Sequence, residues 1–181
     1  MNDIQFYDKI VKQKIEGTLL AYRILLIIFY ILIASLALIL PLKIELNPIG
    51  IAVAVALILL IIIPNTWKYT RIEYEYSFSA GTFTFSRIYA KKARKTVFST
   101  EIKDILLITD QNNYQAKLKS FEPYDIIEAL PSKSTEDVAL MVIENDDKNI
   151  VFFFSPDQRC MKIFKFFNSQ ATDRDLIKKF N

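Results

Sequence analysis

Residues 18–40 read TLLAYRILLIIFYILIASLALIL, and residues 49–66 read IGIAVAVALILLIIIPNT. The first run contains one charge, Arg23, and the second contains none. As α-helices they would measure about 34 and 27 Å at ~1.5 Å per residue, against a hydrocarbon core of ~30 Å. Two runs this pure and this close together read as membrane spans rather than as core helices of a soluble protein. A cleaved signal peptide does not fit, because the first run starts too far along the chain and is too long. The link Pro41–Pro48 is short, with prolines bracketing the turn. The helices are therefore expected as antiparallel neighbours.

Flanking charge orients the hairpin. Lys9, Lys12 and Lys14 precede the first span, and Lys68 and Arg71 follow the second, with Arg87 a little later. The turn has only Lys43. Both termini are expected in the cytosol of a multi-pass protein of the cell membrane. Tyr22, Trp67 and Tyr69 stand where interfacial aromatics belong, and Arg23 can snorkel to the headgroups. Pro64 is placed to kink or end the second helix.

The rest of the chain divides around this hairpin. Residues 1–17 form the first part, 18–66 the hairpin (18–40 and 49–66), and 67–181 a cytosolic domain. Within residues 3–16, Ile4, Tyr7, Ile10, Val11 and Ile15 recur at helical spacing, opposite Asp8, Lys9, Lys12 and Gln13. That spacing predicts an amphipathic helix, either lying on the inner leaflet, docking on the soluble domain or leading into the first span.

After Trp67 the period becomes two. Residues 71–78 (RIEYEYSF) and 82–89 (TFTFSRIY) alternate polar with apolar across the turn Ser79-Ala80-Gly81, which predicts a hairpin. Residues 96–99, 102–109 and 114–118 read as further strands. Residues 121–134 read as irregular, with one helical turn at 125–130. VALMVIE (138–144) and IVFFF (150–154) flank the turn 145–149, and their continuous apolar runs predict central, buried strands. A helix is expected from about Pro156 to Phe167, capped by Ser155. It would bury Cys160, Ile163, Phe164 and Phe167 and turn Lys162 and Lys165 outward. A short last helix would start at Thr172.

Six or seven antiparallel strands closed by one amphipathic helix make a membrane α-hairpin plus an α+β domain, a partly open β-barrel with a C-terminal helix. In this order of elements the chain resembles the bacterial pleckstrin-homology-like (PH-like) proteins. The resemblance rests on the hairpin ending at Trp67, the strand pair 71–78 and 82–89, the segment Thr96–Ile108, and the closing hairpin running into Ser155-Pro156-Asp157. More narrowly, the layout is similar to a family of small Firmicutes membrane proteins. Such families have no established catalytic residues, so none is carried over.

Composition narrows the chemistry. The chain has 181 residues, a net charge of +3, one cysteine and no histidine. Without histidine there is no Ser-His or Cys-His nucleophile and no imidazole base or ligand. Three glycines (Gly17, Gly50, Gly81) build no phosphate-cradling loop. Glu73 and Glu75 share one strand face, expected to be solvated. Asp104/Asp110 and Asp146/Asp147 combine with no nucleophile or metal-ligand spacing. Cys160 and Phe152–Phe154 read as core. No catalytic, metal or cofactor site is expected, no enzyme activity, and no nucleic-acid partner.

Lys91-Lys92-Ala93-Arg94-Lys95 is the densest charge cluster. Two strands of equal length bring it back to the bilayer surface beside Lys68. It is either a contact for anionic lipid, at about 1 kcal/mol per cation, or a solvated loop. Small residues Gly50, Ala52, Ala54, Ala56, Ala34 and Ala37 suit close helix packing, within the hairpin or between copies. The expected role is a non-enzymatic, membrane-anchored interaction or scaffold module that binds a protein partner or another copy of itself. The alternative is a small oligomeric transport or channel subunit.

Overall fold

A computed structural model describes residues 6–43, 47–132, 134–145 and 148–180. The elements are β1 (Phe6–Lys12), α1 (Gly17–Lys43), α2 (Pro48–Trp67), β2 (Ile72–Ser79), β3 (Thr82–Tyr89), β4 (Ala93–Glu101), β5 (Ile105–Asp110), α3 (Tyr114–Leu118), β6 (Tyr124–Ala129), β7 (Ala139–Ile143), β8 (Asn149–Phe154), α4 (Gln158–Phe167) and α5 (Arg174–Lys179). They fall into two compact units, residues 14–72 with 89–93, and residues 1–13, 73–88 and 94–181.

The first unit is built on α1 and α2, both long and apolar enough to cross a membrane. Asn47 caps α2 by accepting from the N–H groups of Ile49 (3.1 Å) and Gly50 (3.3 Å), with Pro48 at the first helical position. The helices run antiparallel, since the start of α1 meets the end of α2. Uniform hydropathy hides a narrower pattern. Leu19, Arg23, Leu26, Tyr30, Ile33 and Ala37 are half-buried or buried, at alternating steps of four and three. Ala52, Val55, Leu59, Ile62 and Thr66 repeat that spacing on α2. This is the seam of a coiled-coil pair. Tyr30 and Thr66 share a hydroxyl hydrogen bond of 2.5 Å across it. Of the small residues, Ala37 and Ala52 lie on the seam, whereas Ala34, Gly50, Ala54 and Ala56 face outward. So do the large side chains Leu25 (64% exposed) and Leu57 (58%). The helix α1 passes Pro41 and reaches Lys43, while residues 44–46 of the turn and the Lys43 side chain lie outside the described set.

The second unit holds two four-stranded sheets, ordered β1-β2-β3-β4 and β5-β7-β8-β6. Among the described residues the strands number eight, in two sheets of which the second is mixed, in place of the expected partly open barrel of six or seven antiparallel strands. Their facing surfaces meet in an aromatic core of Tyr76, Phe78, Phe83, Phe85, Phe98, Phe152 and Phe154, closed by Phe164 of α4. The Phe85 and Phe152 rings are 4.6 Å apart. Val142, Val151 and Phe153 enter a second core with Leu118, Val138 and Leu140, on the far side of the second sheet. Burial on both faces is why β7 and β8 read as unbroken apolar runs, and they are indeed its two central strands.

Four local expectations are corrected. Residues 6–12 form an edge strand antiparallel to β2, not a helix. Seven residues make a marginal helix, whereas β2 offers a ladder of hydrogen bonds and a place for Tyr7 and Val11 against the core. Residues 124–129 form a strand parallel to β8, because the free edge of β8 supplies partners and Ala129 is buried. Residues 114–118 are helical. The caps of α4 and α5 are Asp157 and Asp173, not Ser155 and Thr172, since each carboxylate accepts helix-start N–H groups. The acidic turn at Asp146–Asp147 lies outside the described residues.

Candidate functional site

The candidate site lies where α2 ends, within the first unit. The helix does not stop at Pro64. It runs to Trp67 and tightens into a 3₁₀ turn, Lys68–Thr70. Three of the carbonyls released there find donors. Thr70 Oγ1 donates to Trp67 O (2.8 Å) and the Arg71 N–H to Lys68 O (3.3 Å). Arg23 Nη2 donates to Thr70 O (2.7 Å). Its guanidinium also lies over the Trp67 ring, 5.6 Å from the centroid. Arg23 thus brings a cation to the negative end of the neighbouring helix. A charge inside an apolar run is accounted for by the hairpin's own terminus.

The tip of the β3–β4 hairpin belongs to the same unit. Ala90 (φ 50°) and Lys91 (φ 60°) both adopt left-handed backbone, and the Lys92 N–H donates to Tyr89 O at 3.0 Å. That is a two-residue I′ turn, usually made by Asn-Gly, so each L side chain is strained here. Two contacts hold it. The Ala90 N–H donates to Arg71 O (2.8 Å), and the Tyr89 ring meets Tyr69 edge-on at 5.6 Å. Lys68 Nζ lies over Tyr69 at 5.1 Å. Lys68, Lys91 and Lys92 therefore share one unit with Trp67, Tyr69 and Arg23. Lys91 and Lys92 are exposed and make no ion pair among the described residues. Tyr22 is exposed on α1.

The other two members of the basic run belong to the second unit. Arg94 Nη2 bonds Glu75 Oε1 at 2.6 Å, so its charge has a protein partner, while Lys95 is exposed. Glu75 corrects the expectation of a solvated acidic face, for it is buried. Alternation placed it opposite the core correctly, but the cover supplied by Arg94 comes from two strands away and leaves no mark in the local sequence.

Two polar clusters in the second unit tie elements together. Asp157 accepts from the Cys160 N–H (2.8 Å) and from the Tyr7 hydroxyl, with Lys9 Nζ at 3.9 Å. Burial pushes its carboxyl up, but those donors and Lys9 outweigh burial and hold it below the usual carboxylate range. Burial pushes the Cys160 thiol up, which leaves it protonated and unsuited to nucleophilic chemistry, a core residue as expected. Asp173, held at about 2 chiefly by Lys117 (2.6 Å), also accepts from Thr109 (2.9 Å). Both carboxylates are helix caps with fixed partners.

No curated protein and no solved structure matches this chain. The family model described as Bacterial PH-like domain (DUF6106) matches residues 2–172, from before β1 through both apolar helices and both sheets to beyond α4. The chain belongs to the bacterial PH-like domain family.

Proposed function

We propose that this protein is a non-enzymatic, membrane-anchored PH-like interaction module held at the inner leaflet by a two-helix hairpin. One observation carries the reading. The apolar helices are inserted between β1 and β2, and those strands pair with Lys12 opposite Glu73. Residues 6–12 and 72–79 must therefore lie on one side of any bilayer. A crossing by α1 has to be undone by α2, which is a hairpin with both ends on the same face. Outward side chains such as Leu25 and Leu57 need an apolar solvent. The excess of Lys and Arg beside the helix ends favours the cytosolic face for the domain. The exposed tip Lys91–Lys92, pinned to the chain just past α2, steadies the module on anionic lipid.

The alternative of a small transport or channel subunit is disfavoured by the same helices. Their polar groups are turned to the hairpin itself. Arg23 donates to Thr70 O, Tyr30 meets Thr66, and Ser35 and Asn65 donate to Ile31 O and Ile61 O. These groups are engaged within the hairpin rather than lining a pathway.

The test is crosslinking and affinity purification of the full chain from native membranes, with cysteine labelling of intact cells. Recovery of a defined partner, with Lys43→Cys labelled from outside, is the expected result. Ion conduction by a homo-oligomer in liposomes would replace the module with a channel. Labelling of Lys148→Cys from outside would overturn the orientation.

A further inference from the structure

The edges of the two sheets are finished differently. On β5 the C-terminal segment lies alongside, with the Ile108 N–H donating to Ala171 O (2.8 Å) and the Asp173 N–H to Ile108 O (2.9 Å). On β6 the charged residues Asp125 and Glu128 are both acidic, and Asp125 pairs with Lys148 of the same chain (3.6 Å). On β4, Arg94 is bound to Glu75. The strand β1 has no proline and no register shift along its pairing with β2, and it is an edge. Its outward residues are Phe6, Asp8, Ile10 and Lys12, all exposed, with Phe6 at 67% and Ile10 at 54%.

Those residues are self-complementary. Set two copies of β1 antiparallel, with Ile10 opposite Ile10, and Asp8 of each falls opposite Lys12 of the other. Phe6 falls opposite Lys14, which is also exposed. Neighbouring registers that keep the same face outward do worse. Centring on Asp8 opposes two carboxylates, centring on Lys9 sets Asp8 against Ile10 and Lys12 against Phe6, and centring on Val11 pairs Asp8 with Lys14 but sets Ile10 against Lys12 and Phe6 against Glu16. We propose that β1 is a homodimerisation edge, which joins two copies through an antiparallel β1–β1 pair centred on Ile10. The occupant of this edge is a second copy of the chain.

The contact is isologous, as a two-fold demands, and it extends the first sheet to eight strands. One short strand pair is a small interface, below the size that holds free proteins together. Anchoring changes this, because copies confined to one bilayer meet at a high effective concentration. The two-fold of an antiparallel pair stands perpendicular to the sheet. The inference rests on the interaction-module reading and names its partner.

The test uses the full chain in its native membrane. Ile10→Cys should give a disulfide-linked band at twice the 21.0 kDa chain under mild oxidation, with the parent chain and its buried Cys160 as the blank. Asp8→Cys and Lys12→Cys should crosslink when co-expressed and at least fivefold less when expressed singly. Asp8→Lys should lose the Ile10→Cys dimer, and Asp8→Lys with Lys12→Asp should restore it. Because Lys12 also faces Glu73, the cysteine pair provides the readout if that swap misfolds. Equal crosslinking of Asp8→Cys alone and with Lys12→Cys would overturn the register. Monomeric Ile10→Cys in a membrane fraction that still captures another protein would sink the self-pairing and leave the module standing. Absence of the chain from the membrane fraction would sink the module, whatever the crosslinks show.

Discussion

Truncating Arg94 to alanine strands a carboxylate. Glu75 is 3% exposed, and the Arg94 guanidinium at 2.6 Å is the cation that faces it. Removing one partner of a fully buried pair costs about 3–5 kcal/mol. Here the Arg94 side chain is 62% exposed, so water reaches the vacated space. The cost falls to about 1–3 kcal/mol, the range for a buried polar group left unsatisfied. At roughly 3–5 °C per kcal/mol for a unit of this size, Tm drops by about 3–15 °C. Glu75→Gln added to Arg94→Ala removes the stranded charge and should recover at least half of the loss. The assay is thermal unfolding of the full chain in detergent micelles, followed by near-ultraviolet circular dichroism, which reports the aromatic core rather than the helices. Unchanged Tm in Arg94→Ala would refute the reasoning, as would a double variant no better than the single one.

Asn168 Nδ2 donates to the carbonyls of Ile102 (2.9 Å), Lys103 (3.2 Å) and Ile105 (2.9 Å). Asn168→Ala should cost about 2–4 kcal/mol in chemical denaturation, and Asn168→Asp more, since it turns a carboxylate on three carbonyl oxygens. Asp173 has a folded pKa of about 2, below the ~3.9 of an unfolded aspartate. Its contribution to stability is therefore complete above about pH 4 and lost as pH falls toward 2. Asp173→Asn should flatten the stability profile in that window, and an unchanged acid limb would exclude Lys117–Asp173 as its source. For the hairpin tip, a fluorophore on Lys91→Cys should be quenched by nitroxide lipids more strongly in anionic than in neutral nanodiscs. Lys92→Glu should abolish that difference while leaving Tm within 1 °C, at about 1 kcal/mol per cation lost. Equal quenching in both lipids would leave the tip a solvated loop.

The parts legible in the sequence are those governed by local pattern. The apolar runs marked α1 and α2, alternation marked β2 and β3, and double-sided burial marked β7 and β8. What escaped depends on partners far along the chain. The heptad seam was invisible because the lipid-type face and the packed face of each helix are equally apolar. Ile10 and Val11 suited a helix as well as a strand, and only the free edge of β2 decides between them. Ile126 and Ile127 gave no period over six residues, and β8 decides for that segment. At the candidate site, Lys91 and Lys92 stood out as charge. The role of Arg94 did not, because Glu75 lies nineteen positions away on a strand two removed. Nor could spacing show that Arg23 meets Thr70.

The placement of the helices between β1 and β2 has a consequence for the order in which the molecule is made. β1 leaves the ribosome before β2, its ladder partner, which is encoded about sixty residues later, a separation that would carry an appreciable loop-closure entropy for a flexible chain. The hairpin removes most of that cost. Once α1 and α2 zip along their seam, with Arg23 at the Thr70 carbonyl, residues 14 and 72 are the two ends of one preformed clasp. Formation of the α1–α2 hairpin is then a step that brings β1 and β2 within reach of each other.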